Sequence, residues 1–404
     1  MDFGDHQIFE GVTTYPAILT MQAGAPGVGH ELQFWKIGEM PEGSFADAFA
    51  DAANAFPQAA LGRGSWELEG DTLRALRAKI TTGKQTLKQV YGSPLYGIKT
   101  GLNEAFVIDS PTKEQLCRDD PRSAELLKPF LEGKDLKRWR SEPRGLWIIY
   151  IPKNRIKIDD YPAIRDWLST FKAALEKRAT AQEWFELQQA QDSCTSHYEG
   201  RKIVYGEFSG ENLFSLDSGH FINNKCYFIP SVDPFLLGLL NSKIFWFCII
   251  AESVAVRGRF FQMQSQFVER TPVPSASDVQ RTEIGASAIA AQTAAEKRYA
   301  LQQSITRRIP DLAADPVNAK LTGRLKEWWT LPDFAAFQKE VEKALKAKIP
   351  LQERNEWESW INTNRAEIHA LTAEIRRAEA EINTKVYALF DLTVDEIALL
   401  EANI

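Results

Sequence analysis

Hydrophobic positions follow two different patterns along this 404-residue chain, and the change comes near residue 274. Before that point the apolar residues form short runs, many with period two, which favours β-strands separated by turns. After it they recur every three or four residues, which is typical of amphipathic helices. The fold class we predict is α/β (α+β), a mixed part followed by a helical bundle or helix pair.

The patterns also place the individual elements. Strands are predicted over 8–9, 15–21, 31–36, 146–151, 202–205, 220–222 and 226–229, with two more around a Gly101/Asn103 turn in 97–108. Helices are predicted over 45–59, 71–80, 111–127 and 161–186, and from 233 to a break near 241–242. Three further helices cover 278–308, 332–348 and 351–390, and a last one is capped by Thr393. The expected domains are 1–70, 71–274 and 275–404.

Charge is unevenly distributed over these three parts. The whole chain carries a formal net charge of -6, yet residues 71–272 hold 29 basic against 24 acidic side chains. Residues 1–70 hold two basic against ten acidic ones. The middle part is therefore where we expect a polyanion to be held.

The strongest local excess lies between Lys128 and Arg165, with ten basic against five acidic residues. Trp139, Trp147 and Tyr150 are interleaved with these cations, and such rings stack on sugars or bases. This pattern favours a nucleic-acid surface. The alternative is a solvated charged face, which charge alone does not exclude.

Several other classes of site lack their motifs. The sequence has no GxGxxG after a strand, no GxxxxGK[ST], and no Asn-Pro-Pro-Tyr or Asp-Pro-Pro-Tyr. Its four cysteines are far apart and its five histidines are scattered, so we expect neither a zinc site nor disulfides. No apolar run is long enough for a membrane span and no signal peptide is recognisable, so we expect a cytoplasmic protein without a membrane partner.

One catalytic alternative stays open from the residues. Asp120 followed by Glu132 and Lys134 has the D…ExK spacing of a Mg²⁺-dependent nuclease. Such spacing arises often by chance, and Lys134 suits a phosphate contact equally well. We expect the chain to bind and not to catalyse.

Seven segments in succession resemble a known family. They are GIKTGLNEAF (97–106), LKPFLEGKDLKRW (127–139), YPAI (161–164), LEKR (175–178), WFEL (184–187), KIVY (202–205) and LLGLLNS (236–242). Together they resemble the TaqI-like C-terminal specificity domain, the target-recognition domain of Eco57I-type (type IIG) restriction-modification enzymes and of related phage-defence adenine methyltransferases. Residues 1–36 are similar to the last strands of the methyltransferase domain that precedes this module, a short β remnant of its sheet.

The resemblance implies double-stranded DNA and the parent's methyltransferase domain as partners. It implies no cofactor in this chain, with S-adenosylmethionine and possibly Mg²⁺ in the parent. The residues we expect at DNA are Lys99, Thr100, Asn103, Lys134, Arg138, Trp139, Lys153, Arg155, Asn223, Lys225, Arg257, Arg259 and Gln262.

Within that set, Lys99, Lys134, Arg138, Lys153 and Arg155 are expected on phosphates, and Asn103, Arg257, Arg259 and Gln262 on bases, with Asn223 and Lys225 next. Alternatives remain: Asn103 and Asn223 suit turns, and the two arginines suit internal ion pairs. A protein-interaction scaffold, in which the acidic first 70 residues and the last helices bind other proteins, is the second function we consider.

Overall fold

The N-terminal segment forms one small antiparallel hairpin. The computed structural model describes residues 1–4, 6–10, 16–61, 68–256 and 260–404. In this hairpin β1 (Glu31–Phe34) pairs with β2 (Asn54–Pro57), and the connection between them contains α1 (Phe45–Ala52). The predicted strand at 31–36 is confirmed, whereas 8–9 forms no strand and Ala17 makes only an isolated bridge with Asp2. The helix predicted to residue 59 ends at Ala52, because the following residues pair with β1.

The middle part alternates short strands with short helices. Its elements are α2 (Asp71–Thr81), β3 (Gln85–Thr86), α3 (Leu87–Tyr91), β4 (Leu95–Tyr96), α4 (Asn103–Phe106), β5 (Val107–Asp109), α5 (Ser110–Asp119), β6 (Leu127–Leu131), β7 (Leu136–Lys137), β8 (Arg140–Ser141), β9 (Leu146–Ile149), α6 (Pro162–Ser169), α7 (Lys172–Leu175), α8 (Thr195–Glu199), β10 (Arg201–Gly206), β11 (Phe208–Ser209), β12 (Ser215–Ser218), β13 (Phe221–Ile222), β14 (Cys226–Ile229), α9 (Pro234–Leu240), α10 (Lys243–Glu252), β15 (Ala255–Val256), β16 (Phe260–Gln262), α11 (Ser265–Val268) and β17 (Pro272–Val273).

Two four-stranded sheets organise these elements. One has the order β13-β6-β9-β5, with β13 parallel to β6 and the other pairs antiparallel. The second, β12-β10-β14-β4, is antiparallel throughout. Buried side chains of both sheets, among them Phe130, Ile148 and Phe228, share one core with α6 and α8. A smaller sheet, β11-β16-β15, stands beside them.

Three local predictions in this part are wrong. The helix predicted over 111–127 ends at Asp119, and Leu127 instead begins β6. The segment 97–108 is not a strand pair, because Asn103 begins the helical turn α4 after the left-handed Gly101 (φ +81°). The helix predicted over 161–186 ends after α7, because Arg178 donates hydrogen bonds to carbonyl oxygens of Leu175, Thr100 and Glu186 and so folds the chain back on itself.

The C-terminal part is helical, as predicted. It contains α12 (Asp278–Thr306), α13 (Gly323–Lys326), α14 (Phe334–Leu345), α15 (Arg354–Leu389) and α16 (Val394–Glu401). Helices α12 and α15 pack together, and their small and aliphatic side chains, among them Ala288, Ala291 and Ile382, share a core with α9 and α10. The mixed α/β fold class with a helical C-terminal region is confirmed; the division into three domains stays a prediction.

No single helix within the described ranges is long and apolar enough to cross a membrane. The bent pair of α9 and α10, which meet at 59°, reaches that length and hydropathy only when taken together. Most of its side chains are buried in the core.

Candidate nucleic-acid interface

Three parallel chain segments end at the same edge of the first sheet. β13 runs parallel to β6, and Ile98 makes a parallel bridge with Asn223 on the other side of β13. The nitrogen of Ile98 donates to the oxygen of Ile222 at 2.8 Å, and that of Asn223 donates to Leu131 at 3.2 Å. Because parallel segments end at one edge, the residues that follow them lie together. We call 99–103, 132–134 and 223–225 the strand-end surface.

Gly97 allows this close approach. A Cβ placed there would lie 2.2 Å from the carbonyl oxygen of Asn223, and no side chain fits at that distance. Lys99, two residues further on, is exposed, and its backbone pairs with Gln189 on the other side. The glycine therefore brings the Lys99 segment against the Asn223 segment.

The side-chain oxygens of Asn103 and Asn223 each accept a hydrogen bond within the protein. The Oδ1 of Asn103 accepts a hydrogen bond of 2.6 Å from the hydroxyl of Thr100, which is only 4% exposed. The Oδ1 of Asn223 accepts from the nitrogen of Lys225 at 3.1 Å, which supports the turn alternative for this residue. Thr100 thus orients Asn103, and its own predicted contact with DNA is contradicted by its burial.

The small sheet adds Gln262 and two aromatic rings to the strand-end surface. Phe208 pairs with Gln262, and the ammonium of Lys225 lies 5.7 Å from the ring centre of Phe208 and 2.8 Å from the Oε2 of Glu207. Phe208 and Phe260 are 43% and 47% exposed, so a ligand can reach both rings.

Sequence reasoning missed these two phenylalanines. The alternation of apolar and polar residues near Glu207 and Gln262 is the sequence signal that could have identified them. Arg257 and Arg259, predicted as base readers, fall between β15 and β16 and lie outside the described residues.

Lys134 reaches the strand-end surface, but the arginines that follow it in sequence do not. The Lys134 side chain is 65% exposed and lies 3.4 Å from Glu132. Arg144 binds the carboxylates of Glu132 and Asp135, and Arg140 binds Glu142. The expectation that this basic run forms a nucleic-acid surface is therefore wrong for Arg140 and Arg144, since acids of the same hairpin bind them.

Arg138 and Trp139 lie on a different surface, against helix α15. Arg138 lies 3.1 Å from the Oε1 of Glu379 and donates to the carbonyl oxygen of Asn241 at 2.7 Å. Trp139 is 1% exposed, and its indole nitrogen donates to Glu379 at 2.7 Å. The predicted stacking of Trp139 on a base is contradicted, because the ring belongs to the hydrophobic core.

Lys153 and Arg155 contact a neighbouring loop, residues 181–192. Lys153 donates to the carbonyl oxygen of Ala181 at 2.6 Å, and Arg155 lies 3.7 Å from Asp192. The Arg155 pair is exposed on both sides, and such pairs contribute little stability. Both cations contact the 181–192 segment, and Lys99, Lys134 and Lys225 are the predicted cations on the strand-end surface.

The two acids of the nuclease alternative have arginine partners. Asp120 is 7% exposed, caps a turn by accepting from the nitrogen of Arg122, and lies 3.7 Å from that arginine's guanidinium, while Glu132 binds Arg144. In the part of the chain that the structure describes, no group of three or more His, Cys, Asp or Glu side chains is placed to hold a metal ion. The Asp120, Glu132 and Lys134 alternative stays a prediction, and its two carboxylates are engaged by arginines.

Comparison with known proteins supports the resemblance seen in the sequence. Residues 128–273 match the model of the TaqI-like C-terminal specificity domain, and residues 277–386 match a domain of unknown function (DUF8810). Among solved structures, the chain is similar to the Type IIL restriction-modification enzyme MmeI in complex with DNA, at 15% identity and a TM-score of 0.47. That match covers 79% of this chain and 36% of the other. No curated protein matches the chain.

Proposed function

We propose that this chain recognises a specific sequence in double-stranded DNA for a restriction-modification enzyme, since residues 128–273 match the TaqI-like specificity domain. The observation that carries the proposal is the strand-end surface. It collects exposed cations, amide side chains and exposed aromatic rings at one edge, and these are the three chemistries that a DNA-reading surface needs.

The strand-end surface has side chains for two tasks, phosphate binding and base recognition. Lys99, Lys134 and Lys225 suit backbone phosphates, because an ammonium is a flexible point charge that binds them without regard to sequence. Asn103, Asn223 and Gln262 suit bases, because an amide can donate and accept at the edge of adenine. The pairing of Asn103 with Thr100 fixes the amide orientation before DNA arrives.

The chemistry of the parent enzyme is a further part of the proposal. We propose that the chain positions DNA for an S-adenosylmethionine-dependent adenine-N6 methyltransferase domain in the cytoplasm, in a type IIG restriction-modification or phage-defence system. That partner carries the cofactor, and Mg²⁺ as well if the enzyme also cleaves DNA. Ile18, Leu19 and Met21 are 50%, 65% and 82% exposed, which suits contact with another protein domain. The same exposure favours the second candidate, a protein-interaction scaffold.

Selection from a pool of random duplexes with the full chain tests the proposal. We expect enrichment of one asymmetric sequence. Lys99→Gln should then weaken binding to all duplexes alike and lower the slope of log K against log salt by about 1, whereas Gln262→Ala should relax the preference at one position by about 1–3 kcal/mol. Lys320→Gln, which removes an exposed lysine of the helical part, is the matched control and should change neither.

Two results would refute the proposal. One is the absence of any enriched sequence together with binding that does not depend on salt. The other is equal weakening by Lys99→Gln and Lys320→Gln, because the strand-end surface would then have no role of its own.

A further inference from the structure

A second cationic site lies away from the strand-end surface, between the β7–β8 turn and the packed helices α12 and α15. It is a cleft of about 360 Å³. Its lining includes five cations and two carboxylates, namely Lys137, Arg138, Arg140, Arg298, Arg376, Glu211 and Glu379. The sequence does not reveal this grouping, because the cations come from a turn and two helices that are spread over residues 137–376.

The carboxylates near the cleft neutralise only part of this charge. Arg138 lies beside Glu379, and Arg140 binds Glu142 just outside the cleft. Among the described residues, Lys137, Arg298 and Arg376 make no ion pair. An excess of positive charge in a confined space attracts an anion.

In three guanidinium groups of the cleft, the Nε atom lacks a hydrogen-bond acceptor within the described residues. These atoms belong to Arg138, Arg140 and Arg298, and all three are shielded from water. Arg138 Nε comes within 3.1 Å of Glu379 but is not aligned with it, and Trp139 donates to that same oxygen. Buried donors without acceptors are rare, and three in one cleft indicate that a ligand with several oxygen acceptors belongs there.

The electrostatic environment of Arg298 agrees with this reading. Burial lowers the pKa of Arg298, and the neighbouring cations Arg140 and Arg376 lower it further against the opposite effect of Glu379 and Glu142. Its Nη1 donates to the hydroxyl of Thr372, at 3.2 Å. An anion between these arginines would relieve their mutual repulsion.

We infer that this cleft binds a phosphate group, through Arg298 and Arg376 on the helices and Lys137 on the facing turn. Planar guanidinium groups bind two oxygens of a phosphate at once, and the free ammonium of Lys137 supplies a further charge. The phosphate has two chemical sources, the backbone of a bound duplex or a free phosphate-containing ion. If the proposed function is correct, the first source adds a DNA contact from the helical part; the cleft itself does not depend on that function.

Arg376 and Arg377 provide a matched pair of variants. Both are exposed on α15, neither makes an ion pair within the described residues, and only Arg376 lines the cleft. Arg376→Gln and the double variant with Lys137→Gln therefore test the cleft, and Arg377→Gln is the control for charge and helix stability. Unchanged unfolding in chloride buffer shows that each variant is folded.

The test has two arms with the full chain. In the first, affinity for a duplex of fixed sequence is measured at several salt concentrations. We expect Arg376→Gln to weaken binding about fivefold and to lower the salt slope by about 1, with Arg377→Gln close to wild type. In the second arm, inorganic phosphate is compared with chloride at equal ionic strength. We expect phosphate to raise the Tm of wild type and of Arg377→Gln more than that of the double variant.

The combined results identify the source or overturn the inference. If Arg376→Gln weakens duplex binding and Arg377→Gln does not, the cleft binds the DNA backbone. If the double variant loses only the rise in Tm caused by phosphate, the cleft binds a free anion, whether or not the strand-end surface binds DNA. If Arg376→Gln and the double variant behave like Arg377→Gln in both arms, the cleft is no phosphate site, and the Lys99→Gln result still decides the proposed function separately.

Discussion

A buried ion pair links two strands of the antiparallel sheet at the level of single residues. Lys202 on β10 is fully buried and faces Asp217 on β12, with 3.1 Å between Nζ and Oδ2. His220 adds a contact of 2.9 Å to the other oxygen. Burial opposes charge on Asp217, yet the hydrogen bond from His220 and the charge of Lys202 hold its pKa below the ordinary value.

Lys202→Met should therefore destabilise the protein by about 3–5 kcal/mol, because it leaves a buried carboxylate without its ammonium. Urea denaturation measures the change. Lys202→Met with Asp217→Leu should recover most of the loss, since no buried charge then remains without a partner. An equal loss in the single and double variants would contradict this account.

The same pair predicts a pH dependence. Because the folded pKa of Asp217 is depressed, its contribution is complete above the unfolded value of about 4 and is lost as the pH falls through the folded pKa. Denaturation in urea at several acidic pH values should show a smaller loss of stability in the double variant than in wild type. Equal acid sensitivity would show that other carboxylates dominate.

At the level of elements, one close contact sets the distance between α9 and α12. Gly238 on α9 lies so close to α12 that a Cβ would sit 2.8 Å from Cγ2 of Ile284. Ile284 is fully buried, and a β-branched side chain in a helix has essentially one rotamer. The contact therefore cannot relax by rotation of Ile284, and the helices themselves would have to separate.

Gly238→Ala should destabilise the protein by about 1–3 kcal/mol, although alanine is the better helix former by about 1 kcal/mol. Gly323→Ala is the control, because Gly323 begins α13 with no atom near a new Cβ and the change should cost nothing. The urea midpoint measures both. A stabilised Gly238→Ala variant would mean that α9 and α12 adapt freely.

On the scale of the whole molecule, the mixed part and the helical part share one hydrophobic core. Leu236 and Phe247, on α9 and α10, belong to the same buried cluster as Ile284, Ile375 and Val386 on α12 and α15. The N-terminal segment instead has a small cluster of its own around Phe3, Trp35 and Ile37. The C-terminal helices therefore cover α9, α10 and the face of the antiparallel sheet that carries Ile203 and Ile229.

A chain ending at residue 274 should for that reason lose cooperative unfolding and expose apolar surface, because α9 and α10 lose the helices that cover them. Thermal unfolding and binding of a hydrophobic dye measure this. Removal of residues 1–30 is the control and should leave the main transition in place. A cooperative transition in the 1–274 chain would show that the mixed part folds alone.

The sequence by itself determined the elements with strong periodicity and the chemistry of the middle part. The strands at 202–205 and 226–229, the break between α9 and α10, and the long helices α12 and α15 follow from local spacing of apolar residues and from capping, which depend only on neighbours in the chain. The seven ordered segments identified the specificity domain in the same way, because a motif is a local property.

Only the tertiary structure decided which charged side chains remain available to a partner. Arg138 and Arg144 belong to the same basic run as Lys134, yet acids close in space bind both arginines, and one of those acids comes from α15. Lys134 also has an acid, Glu132, within 3.4 Å, but its side chain stays 65% exposed. Lys99 and Asn223, far apart in sequence, meet because parallel segments end at one edge. Whether a charged side chain is available depends on the charges near it in space, and the pattern of residues along the chain does not show which charges these are.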